Sequence, residues 1–362
     1  MRIGIVGAGQ LARMLALAGY PLGHSFLMYD RAADTPGGQV APSVVGEFDD
    51  LAALERFAAQ VDVVTFDWEN VPVASVRHIA TRVPVWPPPR ALEIAQDRIA
   101  EKNLFRRLGL DTAPYAAVST RADLQRAARR IGLPAVLKTR RMGYDGKGQA
   151  RLGDAADLDA AWALLGGQPL IYEGFVKFDR EVSLVAVRTR RGEIACYPLV
   201  QNHHADGILA WTRAPYAHAT LTRTAASHMV RVLDALNYVG VLCIEFFVAG
   251  RRLLANEMAP RVHNSGHWTI EGAVTSQFEN HVRAVAGQPL GDARARGPAA
   301  MVNFIGHMPD ADQVLRIPGA HLHDYSKSPR PGRKLGHATW AGGSIRERDR
   351  ALARLLALTG RD

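Results

Sequence analysis

Lys138, Arg140, Arg141 and Lys147 share one twelve-residue stretch, KTRRMGYDGKGQ, with Gly143, Gly146 and Gly148. An apolar run, IGLPAVL, leads into it. Cations on a glycine-rich loop suit an anion: glycines let backbone N–H groups turn inward, and ammonium groups neutralise phosphate oxygens. The loop is not a Walker A motif, because Gly148 rather than Ser or Thr follows Lys147. It reads as a strand carrying Lys138 followed by a flap over a phosphate. The chain uses lysine sparingly, six against 38 arginines, at 102, 138, 147, 177, 327 and 334. A compact ammonium differs from a planar guanidinium in what it can bind, so these six positions are candidates for point-charge contacts.

A triphosphate calls for a divalent cation held by few carboxylates. VLCIEFFVAGRRLLANEMAPR (241–261) supplies Glu245 inside one apolar strand and Glu257 at the end of the next. A three-residue turn, Ala249-Gly250-Arg251, pairs Glu245 with Ala255 and leaves Glu257 two places on, on the same face. Such diagonal neighbours lie about 7–8 Å apart, within reach of one magnesium site. A two-residue turn sends the two acids to opposite faces.

The elements that position these residues follow from periodicity. RIGIVG, HSFLMYD and VDVVTFDWEN read as strands, and QLARMLALAGYPLG and DDLAALERFAAQ as helices. That alternation predicts a parallel α/β unit over 1–95, closed by VPVWPPPR. A helix over 94–110 precedes an α+β region to about 290 with antiparallel sheet. Its strands are PAVLKTR, PLIYEGFV, REVSLVAVRT, EIACYPLVQN, GVLCIEFFV and RRLLANEMA. Short strands and a closing helix make a third unit over 296–362. In the first unit GAGQLA (7–12), with Asp30 about 20 residues on, fits the dinucleotide fingerprint and predicts an anion at a helix N-terminus. That anion can be any phosphorylated substrate.

Composition limits the partners. The chain has 362 residues, 48% hydrophobic and 22% charged, with net charge +9. The basic residues are scattered, with no zinc finger, basic tail or aromatic RNA motif, so nucleic acid is not the expected partner. No apolar run is long enough for a membrane span and the N-terminus is not a signal peptide, so a cytoplasmic protein is expected. Cys196 and Cys243 form no metal or redox motif.

QDRIAEK (96–102), KTRRMGYDGKGQ, EGFVKFDREVS (173–183), NEMAPRVHNSGHWT (256–269), SQFENH (276–281) and SPRPGRKLGH (328–337), with GAGQLARM and FDWENVP, resemble the ATP-grasp family of N5-carboxyaminoimidazole ribonucleotide synthetases across nearly the whole chain. The resemblance implies a three-domain ATP-grasp fold: a Rossmann-like preATP-grasp domain (1–95), an ATP-grasp core (96–290) and a small β-rich C-terminal domain (296–362). It also implies a homodimer. The activity implied is carboxylation of 5-aminoimidazole ribonucleotide with bicarbonate and ATP, through carboxyphosphate.

By position, Arg98 and Lys138 would contact the nucleotide phosphates. Gly143, Tyr144, Asp145, Gly146, Lys147, Gly148 and Gln149 would cover them. Glu173, Gly174, Phe175 and Val176 would meet adenine, with Glu181 on the ribose and His204 nearby. Glu245 and Glu257, with Asn256, would hold Mg²⁺. Arg261 would clasp bicarbonate or carboxyphosphate, because a guanidinium binds planar oxyanions in two places; Asn264, Ser265 and His267 would add hydrogen bonds. Lys138 and Asp145 join Arg261 as catalytic groups. Gln10, Lys327, Arg333 and Lys334 would hold the ribonucleotide phosphate, and Tyr144 and Asp145 would face the aminoimidazole.

Ala12, Asp67 and Val262 depart from the residues expected of the family, Gly, Glu and Pro, and WPPPR is proline-heavy where a Ser is expected. Three other readings compete: an ATP-grasp ligase or carboxylase with a different acceptor, a nicotinamide-dependent dehydrogenase built on GAGQLA and Asp30, and a nucleotide-binding protein without catalysis.

Overall fold

The apolar strands of the first unit, covered on both faces, form a fully parallel sheet. β1 (Arg2–Val6), β2 (Ser25–Asp30), β3 (Ser43–Val45) and β4 (Val63–Phe66) lie in the order β3-β2-β1-β4. Ile3, Ile5, Met28 and Val63 pack on the Gln10–Gly19 helix; Val6, Tyr29 and Val64 pack on the Leu51–Ala58 helix. The computed structural model describes residues 1–143 and 148–360.

A second sheet is antiparallel. β5 (Tyr115–Val118), β6 (Ala135–Thr139), β7 (Gln149–Leu152) and β8 (Leu170–Gly174) take the order β5-β8-β6-β7. The third has nine strands: β9 (Arg180–Arg188), β10 (Ile194–Cys196), β11 (Val200–Ala205), β12 (Ile208–Ala214), β13 (Gly240–Ala249), β14 (Arg252–Ala259), β15 (Ala299–Ile305), β16 (Ala320–Asp324) and β17 (Lys334–Ala341). Its path is β14-β13-β9-β11-β12-β15-β17-β16, with β10 also on β9. The C-terminal strands therefore continue the central sheet through the β12–β15 pairing rather than forming a sheet of their own. The closing Ile345–Ala357 helix covers them, burying Ala351, Leu352 and Leu355 against Val302 and Phe304.

Three local expectations change. The helix expected over 94–110 is two helices, Pro89–Ala95 and Arg98–Arg107, because the Asp97 carboxylate accepts from the N–H groups of Ile99 and Ala100 and starts the second one. The run EIACYPLVQN splits into β10 and β11 around Pro198, which has no N–H to give a ladder. The β13–β14 turn has two residues, since Ala249 pairs with Arg252. The acids nevertheless share a face. The register shifts between the pairs Phe246–Ala255 and Glu245–Glu257, so Asn256 is an extra, bulged residue and the two carboxylates stand directly opposite each other.

Candidate active site

One face of the nine-stranded sheet gathers the acids. Glu245 lies opposite Glu257 on β14 and opposite Ser183 on β9; Glu181, two residues from Ser183, lies opposite Phe247. His204 Nδ1 meets Glu181 Oε2 at 2.8 Å and its Nε2 stands 3.8 Å from Glu245 Oε2. His263 Nε2 approaches the other Glu245 oxygen at 3.3 Å. Burial, Glu257 and Glu181 raise the Glu245 carboxyl, against His204. Burial would lower His204, but the bond to Glu181 and the charge of Glu245 prevail and push it up to about 9. Burial, with Arg261 and Lys334, holds His263 well below its ordinary value, so it stays neutral. On the same face, beside the acids, runs a buried polar ladder. Thr212 Oγ1 donates to Asn202 Oδ1 (2.9 Å), Asn202 Nδ2 to Ser183 Oγ (2.9 Å) and Ser183 to Ser265 (2.7 Å), while Ser265 Oγ and His263 Nδ1 are 2.8 Å apart.

The cations come from the small sheet and the Arg98–Arg107 helix. Lys138 Nζ bonds Glu173 Oε2 at 2.7 Å, and Lys102 Nζ lies 3.3 Å from Glu173 Oε1. Against burial, Lys102, Lys138 and Arg98 hold Glu173 well below the carboxylate range. Arg98 Nη1 pairs with Glu257 Oε2 at 3.1 Å and Nη2 donates to the Gly143 carbonyl at 3.2 Å. Arg98 and Lys138, the two cations expected on the nucleotide phosphates, are thus each held by an internal carboxylate. Burial opposes it, yet Arg98 and Lys138 lower Glu257. Gln149 pairs with Lys138 across β6–β7. Gly148 has φ +68°, and a Cβ there would come 2.6 Å from Thr139 Oγ1, so the residue leading into β7 is a glycine by necessity. Tyr144, Asp145, Gly146 and Lys147 lie outside the described residues. β8 ends at Gly174; Phe175 beyond it is exposed and Val176 partly so.

Arg261 Nε bonds Glu69, on the loop after β4, and Nη1 donates to the Val262 carbonyl at 3.0 Å. Despite burial, Glu69 and Asp67 raise Arg261, so the guanidinium is permanently charged. Asn264 Oδ1 is buried without a hydrogen-bond partner. Ser265 and His267, expected beside it as direct contacts, instead point into the protein. Ser265 is fully buried in the polar ladder, and His267 is wedged between Phe278 and His337 with Nδ1 3.3 Å from Gln277.

The glycine turn also differs from expectation. Its anion is the protein's own: Asp67 Oδ2 accepts from Gly9 N–H (2.7 Å) and Ala12 N–H (3.3 Å), and Asp30 from Ala8 N–H (2.7 Å). A Cβ on Gly7 would strike Asp67 Oδ1 at 1.9 Å, so the turn closes on that carboxylate. Beside it, Lys327 Nζ donates to Gln10 Oε1 and lies 5.7 Å from the Tyr325 ring centre. Lys334 lies near enough for its charge to lower both Glu245 and His263. Arg333 donates to the Ser328 carbonyl at 3.0 Å, within its own loop.

Sequence reasoning missed Glu69 and His263 as members of this assembly, and singled out Lys102 without giving it a partner. The signal for Lys102 was present in the scarcity of lysine, and that for the ladder in Ser183, Asn202 and Thr212 standing within strands. Glu69 and His263 carry no local signal, because their partners come from other elements.

Three domain families match in order along the chain. These are the ribonucleotide synthetase preATP-grasp domain over residues 1–96, the ATP-grasp domain over 103–278 and the phosphoribosylaminoimidazole carboxylase C-terminal domain over 299–351. The chain is 52% identical over 339 residues to the N5-carboxyaminoimidazole ribonucleotide synthase of Pseudomonas aeruginosa, covering 94% of each. It superposes on the crystal structure of N5-carboxyaminoimidazole ribonucleotide synthetase from Thermus thermophilus with TM-score 0.96 and 53% identity, over 99% of both chains. It superposes on the N5-carboxyaminoimidazole synthase of Aspergillus clavatus, in complex with ADP and 5-aminoimidazole ribonucleotide, with TM-score 0.93 and 30% identity, over 100% of this chain and 99% of that one.

Proposed function

The chain belongs to the N5-carboxyaminoimidazole ribonucleotide synthase family of ATP-grasp ligases, and from that premise we propose how its residues divide the work. The enzyme carboxylates 5-aminoimidazole ribonucleotide with ATP and bicarbonate, a step of purine synthesis, giving N5-carboxyaminoimidazole ribonucleotide, ADP and phosphate. Bicarbonate oxygen attacks the γ-phosphorus, ADP leaves, and the carboxyphosphate formed breaks its C–O bond to give carbon dioxide and phosphate. The exocyclic amine then adds to that carbon and loses a proton.

One arrangement supports this assignment: the Glu245–Glu257 pair facing Arg98 and Lys138. Two opposed carboxylates suit a hard cation that shares its remaining positions with phosphate oxygens and water. Glu245 and Glu257 would hold Mg²⁺, with Asn256 beside them, and the ion would supply neutralisation of the triphosphate. Arg98 and Lys138 bind the phosphates by exchanging Glu257 and Glu173 for them. Gly143, Gly148 and Gln149, with Tyr144 to Lys147, cover that end. Glu173 to Val176 meet adenine, and Glu181, held by His204, takes the ribose hydroxyls.

Arg261, fixed by Glu69, clasps bicarbonate and then carboxyphosphate. The orphaned Asn264 Oδ1 accepts from the hydroxyl of bicarbonate. Ser265 serves by orienting His263, and His267 by packing beneath this turn. Lys327, Lys334 and Gln10 hold the ribonucleotide phosphate, with Arg333 next to them, and Tyr144 and Asp145 face the aminoimidazole. The protein would work in the cytoplasm as a homodimer, which sedimentation at twice the chain mass would support; among the described residues no helix is long and apolar enough to cross a membrane.

The test is phosphate release with ATP, Mg²⁺ and bicarbonate, with and without the ribonucleotide. Turnover should need bicarbonate and rise strongly with the ribonucleotide; indifference to it would point to another acceptor. Glu257→Ala should cut turnover at least about 10²-fold, the scale for losing charge stabilisation in a site.

A further inference from the structure

The Arg98–Arg107 helix does more than carry Arg98. β14 is the edge of the nine-stranded sheet, so its outer N–H and C=O groups have no neighbouring strand. Side chains from this helix take two of them. Lys102 Nζ donates to the Asn256 carbonyl at 2.8 Å, and the Met258 N–H donates to Glu101 Oε1 at 2.7 Å. A third, the Ala255 N–H, goes to the Asp111 carbonyl at 2.7 Å. The first two bonds bracket Glu257. Both side chains are buried, Glu101 2% and Lys102 1% exposed, and an ionisable pair in such a place is costly unless each group is bonded. Neutral partners could have closed the same edge.

The bulge explains why these groups stand here. With a two-residue turn, regular pairing would set Asn256 opposite Glu245 and turn Glu257 to the other face. The extra residue avoids that, and the bulge is where Lys102 and Glu101 grip the backbone. Lys102 has a further partner. Glu173 Oε1 is buried with no hydrogen bond and meets the Lys102 ammonium at 3.3 Å, while Oε2 bonds Lys138. When phosphate takes Lys138, Lys102 is the cation left beside Glu173.

We propose that Glu101 and Lys102 form a clamp on the β14 bulge that sets Glu257 against Glu245, and that Lys102, through Glu173, frees Lys138 for phosphate. Both are positioning residues, and the metal arm of the inference rests on Glu245 and Glu257 as the proposed Mg²⁺ ligands.

The experiment titrates Mn²⁺ into the full chain saturated with AMP-PNP, read by calorimetry, with no bicarbonate or ribonucleotide present. Lys102→Met and Glu101→Ala should weaken Mn²⁺ binding at least tenfold. Glu101→Gln, which keeps the accepting oxygen, should stay within about threefold of the parent. Lys102→Met should also weaken AMP-PNP binding in EDTA several-fold, because Glu173 then retains Lys138. Variants that melt earlier yet bind Mn²⁺ like the parent, when still folded at the assay temperature, would reduce the pair to closing a sheet edge and overturn the clamp. Amide exchange covers variants that fail to fold. In the unaltered protein the Met258 amide should exchange as slowly as the amides of β13, and fast exchange there also overturns it. A parent chain that binds no Mn²⁺ while Met258 stays protected would instead remove the metal assignment and leave the clamp standing.

Discussion

Lys327 shows what a single residue reveals and conceals. Its type and rarity made it a candidate in the sequence, but its environment comes from elsewhere in the chain. Gln10, 317 positions away, accepts a hydrogen bond from its ammonium, and the Tyr325 ring lies beside it. Burial, then Arg333 and Lys334, lower its ammonium to about 8. The group is therefore cationic below that pH and loses its charge above it. If it holds the ribonucleotide phosphate, kcat/KM for that substrate should be level to about pH 8 and then fall, approaching tenfold per pH unit. Lys327→Met should lower kcat/KM at pH 7 and abolish this limb; a limb unchanged in the variant would assign it to another group. Glu69 and His263 show the opposite case. Nothing in FDWENVP or RVHNS states that one fixes Arg261 or that the other lies 3.3 Å from Glu245. Such contacts depend on register and on domain packing, neither of which is a local property.

At the scale of elements, periodicity placed most strands and helices and missed where they break. The sequence from 94 to 110 carries a continuous helical pattern, yet Asp97 divides it. Its carboxylate caps the Arg98–Arg107 helix and also accepts from Arg140 Nε at 2.6 Å and Arg141 Nη2 at 3.1 Å. Burial works against it, but the Arg140 bond and the helix N–H groups keep this carboxyl lowered. The same residue thus starts the helix bearing Arg98 and anchors the end of β6, next to the phosphate loop. Asp97→Ala should destabilise the chain by about 2–4 kcal/mol, combining a lost cap with a lost charged hydrogen bond. Asp97→Asn retains the cap acceptor and should cost about half as much; equal losses in denaturant unfolding would assign the whole effect to the arginines. The β13–β14 hairpin teaches the same lesson. Turn length was legible only as two alternatives, and the bulge at Asn256 decided the face.

At the scale of the molecule, the alternation of strands and helices disclosed the parallel unit and the antiparallel core. It did not disclose that β15 to β17 extend the central sheet, because β12 and β15 pair across about 85 residues of chain. The units are joined by buried groups rather than by sequence neighbours, and His281 is one of these. It sits on the Gln277–Ala286 helix, 1% exposed, with Nε2 2.9 Å from Thr65 Oγ1 on β4 and Nδ1 accepting the Val241 N–H of β13 at 3.0 Å. A Cβ on Gly240, at φ +105°, would lie 3.0 Å from its ring, so the chain comes this close only as glycine. Burial depresses its imidazole to about 3. A folded-state value below that of the unfolded chain means that its stabilisation is complete above about pH 6.5 and is lost as pH falls, because only the unfolded chain takes up the proton. His263, His267 and His337 are depressed in the same way, whereas Asp67 and Glu101 are raised, to about 6 and about 8, by burial, so the total acid response mixes opposing contributions. A single-site difference separates them. The stability advantage of the parent over His281→Gln should shrink by about 2 kcal/mol between pH 7.5 and 5, the linkage expected for one histidine of ordinary unfolded value. Chemical denaturation of both proteins at the two pH values measures it. A constant difference would mean that His281 titrates in the folded chain as it does in water, and that the joint between the two sheets is open to protons.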